Sequence, residues 1–252
     1  MSERHVGDRL WFDQMTSPQL AEYVSGAHLV ILPFGSIEEH GSHLPLGTDS
    51  FQCESIVKRV AAAFGALVLP PIRYGECRTT RRFPGTISLR SETVRAIAED
   101  VMMELARNGV VNVLVLSGHA GSGHMAAIKL GAQGAVERDS RLKVMVLSDC
   151  DIAYELAGEE FPANDGHAGQ VETSRMLAIR PDLVGDDRPV GESRPPKFMI
   201  LKDPERYIPT GVMGDPRGAS EDKGRRIDDY VVGKLCEMIA ENFGLPAKAT
   251  ED

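Results

Sequence analysis

The chain has 252 residues, of which 42% are hydrophobic and 26% are charged, a composition typical of soluble globular proteins. Its formal net charge of −9 argues against nucleic acid and anionic membrane surfaces as partners. No apolar run approaches the roughly 20 residues that span a bilayer, and the charged segment 1–15 lacks the apolar stretch of a secretory signal. This length suits one sizeable core, so we predict a single domain over residues 1–252.

The cysteines are widely spaced and form no Cys-x-x-Cys pair. A disulfide framework is not expected in a chain of this length, so the sequence predicts a protein of the reducing cytoplasm. A zinc site built on cysteines is not expected either. Any metal site must therefore rely on His, Asp and Glu. The four cysteines are Cys53, Cys77, Cys150 and Cys236.

Short apolar runs rich in Val, Ile and Leu recur along the first 150 residues and are typical of strands buried on both faces of a sheet. These runs cover residues 28–34, 66–72, 111–118 and 142–149. Between them lie segments with an apolar side chain every three or four positions, which predicts helices. These segments cover residues 50–64, 91–109 and 123–139. The alternation of strands and helices predicts an α/β fold with a mainly parallel sheet.

The remainder of the chain is predicted to be helical at two places. One helix is expected at about 169–179, where Pro181 ends it. Residues 182–220 are rich in Pro, Gly, Asp and Arg, which predicts an irregular excursion without a domain boundary. A last amphipathic helix is predicted over 228–244, and the tail 245–252 is expected to fray.

The segment 35–49, "GSIEEHGSHLPLGTD", concentrates carboxylates and imidazoles directly after the first predicted strand. In an extended chain Glu38 and His40 point the same way, because they are two residues apart. The loop that follows contains glycine and proline, so it can turn back and place Asp49 beside this pair. His119 follows the third predicted strand. If the first and third strands are neighbours, all four side chains meet at the carboxyl end of the sheet.

Spacing alone leaves two interpretations of these residues open. Imidazoles and carboxylates together suit a divalent metal such as Zn, Mn or Fe, and a bridging aspartate suits two metals. Alternatively, the residues are ordinary turn and capping groups. In that case Asp49 caps the helix that begins at Ser50, and His119 is a hydrogen-bonded histidine at a strand end.

The segment 35–49 is similar to the signature of the creatininase family, which runs Gly-Ser-x-Glu-x-His-Gly-x-His-Leu-Pro-x-x-Thr-Asp. Four later blocks resemble blocks of the same family and follow in the same order, so that the resemblance spans about three-quarters of the chain. They are "FPGTISL" (83–89), "GHAG" (118–121), "DGHAGQVETSRML" (165–177) and "GVMGDPRGASEDKG" (211–224).

The resemblance implies a three-layer α/β/α sandwich with a mainly parallel sheet, two divalent metal ions per chain (Zn, Mn or Fe) and assembly into homohexamers. Matched position by position, Glu38, Asp49 and His119 would hold the first metal. His40 and the bridging Asp49 would hold the second. His167 falls where family members place a substrate-facing catalytic histidine.

The chain departs from the family pattern near the second metal. Creatinine-hydrolysing members carry a glutamate two residues past the third-strand histidine as a ligand, and here that position is Gly121. Creatinine itself is therefore not expected as the substrate. Glu172 is our candidate for the missing ligand and a candidate catalytic group, although it can equally be a first-turn glutamate favoured by the helix dipole. Gln170 stands where many relatives carry glutamate, and Asp165 is a candidate for orienting His167 or contacting substrate.

The segment 75–83, "GECRTTRRF", also departs from the family, whose members often read Gly-x-Ser-x-Glu-His there. Cys77 and Thr80 occupy the Ser and His positions, and Arg78, Arg81 and Arg82 add positive charge. This stretch is either a solvated surface loop or a clamp for a carboxylate or phosphate on the substrate. The substrate-binding candidates here are Cys77 and Arg78.

Together these features predict a metal-dependent hydrolase that uses a metal-activated water to cleave a C–N bond of a small amide or cyclic amide. His167 would pass a proton to the leaving nitrogen. Two alternatives use the same site, hydrolytic deformylation and the ring opening of a cyclic ketone of the inosose type. A third alternative, of another class, is a non-catalytic, metal-stabilised assembly protein. The expected partners are a small-molecule substrate and further copies of the chain, without nucleic acid or membrane.

Overall fold

The computed structural model describes residues 10–26 and 28–247. Within them, a parallel sheet is built from β1 (Leu29–Phe34), β2 (Leu67–Val68), β3 (Asn112–Ser117) and β4 (Lys143–Ser148). The strand order is β2-β1-β3-β4. β1 and β3 are neighbours whose last residues, Phe34 and Ser117, lie in register. The loops that follow these two strands therefore start side by side.

Helices separate the strands and cover both faces of the sheet. They are α1 (Ser17–Tyr23), α2 (Thr48–Phe64), α3 (Ser91–Arg107), α4 (Ser122–Arg138), α5 (Asp149–Ala153), α6 (Gln170–Ile179) and α7 (Glu221–Phe243). Short 3₁₀ turns lie at Phe12–Gln14, Tyr154–Leu156, Pro181–Leu183, Pro204–Tyr207 and Pro216–Gly218.

The sheet forms the middle of three layers, because alternate strand residues pack against different helices. Leu29 and Ile31 of β1 belong to the apolar cluster that contains α2 and α7. Val30 and Leu32 point to the opposite face and belong to the cluster that contains α3 and α4. A strand buried on both faces needs apolar residues at every position, which explains the continuous apolar runs. The predicted α/β/α sandwich with a parallel sheet is confirmed.

The second strand is shorter than its apolar pattern predicts. The run 66–72 pairs as a ladder only at Leu67–Val68. Pro70 and Pro71 then follow, and proline has no N–H to donate to a ladder. The chain nevertheless stays beside β1, since the Ile72 amide donates to the Pro33 carbonyl at 3.0 Å.

Two helices begin earlier than predicted. The last helix begins at Glu221 rather than 228, because the Ser220 side chain accepts a hydrogen bond from the Lys223 amide and caps it. The second helix begins at Thr48 rather than Ser50, which places Asp49 inside its first turn. Helices α1 and α5 were not predicted.

Residues 182–220 contain only short 3₁₀ turns among their described elements, as the proline-rich composition predicts. Across residues 10–26 and 28–247, none of the helices combines the length and apolarity needed to cross a bilayer. Most of the segment 1–15 and the end of the tail 245–252 lie outside the described residues. The single domain over 1–252 stays a prediction.

Candidate metal centre

The predicted polar residues meet at the carboxyl ends of β1 and β3. Glu38 and His40 lie in the loop after β1, and Asp49 lies in the first turn of α2. His119 follows β3, and Glu172 comes from the first turn of α6. All five side chains are buried, with exposed fractions between 1% and 7%. Three stretches that are distant in sequence, 38–49, His119 and Glu172, thus supply one buried polar cluster.

The first half of this cluster surrounds Nδ1 of His119. That nitrogen lies 2.9 Å from Oε2 of Glu38 and 3.1 Å from Oδ2 of Asp49. Its other nitrogen, Nε2, lies 2.9 Å from the carbonyl oxygen of Glu76 and must donate to it. In the neutral ring, Nδ1 therefore carries a lone pair that faces two carboxylate oxygens. Three acceptors in contact repel one another, so either a proton on Nδ1 or a metal cation must lie between them.

The second half surrounds Nε2 of His40. This nitrogen lies 3.0 Å from Oδ1 of Asp49 and 3.7 Å from Oε2 of Glu172. Nδ1 of His40 faces the carbonyl oxygen of Glu38 at 3.0 Å, so Nδ1 is the nitrogen that carries the hydrogen. Asp49 thus gives one carboxylate oxygen to each half of the cluster. That arrangement suits a bridging ligand between two ions.

These residues fit a pair of divalent cations. With metal–ligand bonds of about 2.0–2.1 Å, neighbouring ligand atoms of a tetrahedral site lie about 3.3 Å apart. The distances between the facing atoms here run from 2.9 to 3.7 Å. Three buried carboxylates are also costly without positive charge beside them. Imidazole and carboxylate ligands suit Zn, Mn and Fe.

The pKa shifts of the cluster without bound metal also favour a site for positive charge. Burial raises the pKa of Glu38, but the charge and hydrogen bond of His119 outweigh burial and lower it to about 2. Burial lowers the pKa of His40, but attraction to Asp49 raises it to about 10. Without metal, the rings therefore hold protons between themselves and the carboxylates. A metal ion that binds here must displace those protons.

Two buried hydroxyl groups hold the carboxylates in place. Oγ1 of Thr80 donates to Oε1 of Glu38 at 2.5 Å, and Oγ of Ser36 donates to Oδ2 of Asp49 at 2.5 Å. Such outer partners fix the orientation of metal ligands. Neither residue was predicted to support the metal ligands. Ser36 had a signal, because it lies two residues before Glu38 and shares its side of an extended chain.

His167 lies over the second half of the cluster. Its Nε2 donates to the carbonyl oxygen of Glu39 at 2.7 Å, and its ring centroid lies 4.3 Å from that of His40. The next residue, Ala168, has a φ of 52°, in the left-handed region that costs a non-glycine residue about 1–2 kcal/mol. This turn directs the Ala168 amide to Oε2 of Glu172 at 2.6 Å. The strained turn therefore links His167 to the candidate ligand.

The candidate substrate residues lie in different surroundings. A cavity of about 420 Å³ opens over the cluster and is lined by both Cys77 and Arg78. Cys77 is buried, and its sulfur lies within 4.8 Å of ligand atoms of Glu38 and His119. Arg78 is exposed and donates from Nη2 to the Leu201 carbonyl at 3.1 Å. Their roles stay predictions.

Asp165 makes contacts that differ from the expected ones. Its carboxylate oxygens accept from the amides of Gln170 at 2.6 Å and Val171 at 2.9 Å, so Asp165 satisfies the first turn of α6. Burial raises its pKa to about 6. Among the described residues no hydrogen bond joins its carboxylate to His167. The role in orienting His167 or contacting substrate stays a prediction without an observed contact.

The position of the His119 ring explains why residue 121 is a glycine in this chain. A Cβ atom at this position would lie 2.5 Å from Nε2 of His119, the nitrogen that donates to Glu76. A side chain at position 121 therefore requires His119 to move. Glu172 instead brings a carboxylate to His40 from α6. The metal-binding and catalytic roles of these residues, Glu172 included, stay predictions.

Comparison with known proteins places the chain among hydrolases. A family model described as "Creatininase: Creatinine amidohydrolase" matches residues 13–239. A creatinine amidohydrolase of Pseudomonas putida is 32% identical, over 94% of this chain and 96% of its own. A mycofactocin precursor peptide peptidase of Mycobacterium ulcerans is 30% identical, over 84% of both chains. A 3-dehydro-scyllo-inosose hydrolase of Thermotoga maritima is 25% identical, over 98% of this chain and 77% of its own.

Solved structures show the same fold. A structure named "Creatininase Mn" superposes with a TM-score of 0.85 at 30% identity, covering 93% of this chain and 98% of its own. A mutant creatininase of the "Zn-Zn type" superposes with a TM-score of 0.83 at 30% identity and the same coverage. The match of the family model over most of the sequence agrees with this likeness in structure. The chain therefore belongs to the creatininase family.

Proposed function

We propose that the protein is a metal-dependent hydrolase that cleaves the C–N bond of a small amide or cyclic amide. The observation that carries this proposal is the buried cluster itself. One ring nitrogen of His40 and one of His119 face three carboxylates below a cavity. The other nitrogen of each ring is hydrogen-bonded to a backbone carbonyl oxygen. Relatives named as an amidohydrolase and a peptidase act on amide bonds, which supports this reaction class. Creatininase forms named for Mn and Zn support divalent metals.

The residues divide into two ligand sets. Glu38, Asp49 and His119 would hold one ion, and His40, Asp49 and Glu172 would hold the other. Divalent ions bound in this way lower the pKa of water and polarise a carbonyl oxygen. The chain fixes its ligands before substrate arrives, through backbone carbonyls behind the rings and hydroxyl groups behind the carboxylates. Preorganisation of this kind avoids reorienting charged groups during the reaction.

His167 is the proposed proton carrier. Its Nε2 is occupied by the Glu39 carbonyl, so Nδ1 is the nitrogen that can take up a proton and deliver it to the leaving nitrogen. The side chain is only partly buried and lines the cavity, where a substrate can reach it. The contact of Glu172 with His40 favours a ligand over a second proton carrier.

The substrate is proposed to be a small amide other than creatinine. The cavity of about 420 Å³ suits a small molecule. Gly121 supplies no carboxylate where creatinine-hydrolysing members have one, and His119 leaves no room for a side chain there. This difference is our reason to expect weak activity on creatinine, although a creatinine amidohydrolase is among the relatives.

The test is a substrate panel on protein whose metal content has been measured. The panel holds creatinine, linear amides, formamides, cyclic amides and a cyclic ketone, because one relative is named as an inosose hydrolase. We expect turnover of an amide other than creatinine that stops on removal of metal and returns when metal is restored. Turnover of the ketone alone would favour ring opening. Retained metal with no turnover would favour a non-catalytic assembly protein.

We also propose a homohexamer in the cytoplasm, as the family and the cysteines suggest. An exposed apolar segment supports contact with another copy, since Phe198, Met199 and Ile200 are 103%, 63% and 84% exposed. All four cysteines are free, which suits a reducing compartment. Light scattering that gives six times the chain mass would support the assembly, and a monomer mass would refute it.

A further inference from the structure

Most arginines in the described part of this acidic chain pair with a carboxylate. The pairs range from the buried Arg175 to exposed helix pairs such as Arg225 with Asp222. Among residues 10–26 and 28–247, the arginines without a carboxylate within 4.0 Å are Arg78, Arg81, Arg90 and Arg188. In a chain of net charge −9, such unpaired arginines need a reason.

Three of these four arginines line one pocket of about 360 Å³. The pocket contains Arg78, Arg81 and Arg90 and adjoins the cavity over the metal centre, with which it shares Glu76, Arg78 and Ser91. The two spaces are therefore adjacent. We call this space, defined by Arg78, Arg81 and Arg90, the arginine pocket.

Two carboxylates line the arginine pocket without forming close ion pairs with its arginines. They are Glu76 and Glu92, and neither lies within 4.0 Å of an arginine nitrogen of the pocket among the described contacts. Burial raises the pKa of Glu76, and the charges of His119, Arg78 and Arg81 oppose that rise, so Glu76 offsets part of the positive charge. Arg82, which is adjacent in sequence, differs. Its Nη1 pairs with Glu205 at 2.9 Å and also with Asp203, so it belongs to a surface ion pair. The anion clamp predicted from the sequence included Arg82, whereas the arginine pocket contains Arg90 in its place.

The N-terminus of a long helix opens into the same pocket. Helix α3 has 17 residues and begins at Ser91, and its N-cap residue Arg90 provides no side-chain cap. The amides of Thr93 and Val94 donate to the Arg90 carbonyl, whereas those of Ser91 and Glu92 have no acceptor among the described residues. Free amides at a helix start carry partial positive charge and favour anions.

We infer that the arginine pocket binds the carboxylate or phosphate of a substrate whose amide lies at the metal centre. The inference rests on the proposed amide hydrolysis and narrows its substrates to amides that bear an anionic group. The three arginines lack a carboxylate partner and line one pocket together with the first residues of α3, and Nη2 of Arg78 also donates to the Leu201 carbonyl at 3.1 Å. Arginine suits this task because its planar fork donates two parallel hydrogen bonds to a carboxylate or phosphate.

The test compares pocket variants with a matched control. Arg78→Gln, Arg81→Gln and Arg90→Gln each remove a charge from the pocket, and Arg188→Gln removes an unpaired arginine that lies outside it. Each metal-loaded variant is assayed with an N-acyl amino acid and its carboxamide, and with an N-acyl aminoethyl phosphate and the corresponding alcohol. We expect KM to rise about 10- to 100-fold for an anionic substrate in the pocket variants. The neutral substrates, and all substrates with Arg188→Gln, should change less than about twofold.

Direct binding separates this inference from the proposed reaction. Calorimetry with glutarate and with inorganic phosphate needs no turnover and also tells carboxylate from phosphate recognition. A 10- to 100-fold loss of affinity for either probe in the pocket variants alone would support the pocket. Equal affinities in all variants would overturn it, even if amides are hydrolysed. Intact pocket binding without any amide turnover would overturn the proposed function and leave the anion pocket supported.

Discussion

Replacing Thr80 with valine tests how the first ligand set is held. The Thr80 hydroxyl donates to Oε1 of Glu38 at 2.5 Å, and Thr80 is only 1% exposed. Valine nearly preserves the shape of the side chain and removes the donor. The carboxylate of Glu38 then loses the bond that fixes its second oxygen while the first faces His119. We expect Thr80→Val to weaken one of the two ions selectively.

The magnitude follows from the position of this hydroxyl group behind a ligand. Removal of an outer hydrogen-bond partner typically lowers metal affinity about 10- to 100-fold, which corresponds to about 1.4–2.7 kcal/mol. The cost of leaving a buried acceptor unpaired, about 1–3 kcal/mol, agrees with this range. No hydrogen bond among the described residues joins Thr80 to His40, Asp49 or Glu172, so the ion that these three residues would hold should keep its affinity.

Competition with a chromophoric chelator measures both affinities in one titration. The matched control is Thr79→Val, because Thr79 is the neighbouring residue and is exposed on the cavity wall. It should titrate like the wild type. If Thr80→Val also binds both ions with wild-type affinity while remaining folded, Glu38 is not a metal ligand held by this hydroxyl group.

Three further substitutions test the remaining assignments. Asp49→Ala should lose both ions, because Asp49 supplies an oxygen to each ligand set, and full metal content by elemental analysis would exclude the bridge. His167→Ala should keep both ions while turnover falls about 10²- to 10⁴-fold, whereas loss of metal would make His167 a ligand. Asp228→Ala removes one of the two carboxylates that pair with the fully buried Arg175 and should lower the free energy of unfolding by about 1.5–3 kcal/mol. In denaturant titrations the exposed Asp229→Ala should cost about 0–1 kcal/mol, and equal losses would contradict this account.

The architecture was predictable because strands buried on both faces leave an unmistakable pattern. Every position of β1 and β3 is buried; β1 is apolar throughout, and β3 is apolar between Asn112 and Ser117. Capping contacts were harder to foresee. The first turn of α7 is polar, and its start at Glu221 depends on Ser220. The fully buried Arg175 was also not predicted, because its partners Asp149 and Asp228 lie far away in sequence.

The site was predictable where one motif contains its residues and hidden where contacts are distant. The structure weighs against a simple capping role for Asp49, because its carboxylate faces His40, His119 and Ser36. Thr80 lies 42 residues from Glu38, so no local pattern could join them. The same limit applies to the arginine cluster. Its division into paired and unpaired members depends on acidic residues more than 100 positions downstream.

The metal content of the wild-type protein purified without chelator tests the metal centre most directly. Elemental analysis gives the identity of each metal and its number per chain. The two ligand sets that share Asp49 predict two divalent ions per chain, drawn from Zn, Mn and Fe. A chain that holds no divalent ion after exposure to Zn, Mn or Fe would contradict the metal centre and the hydrolysis proposed for it.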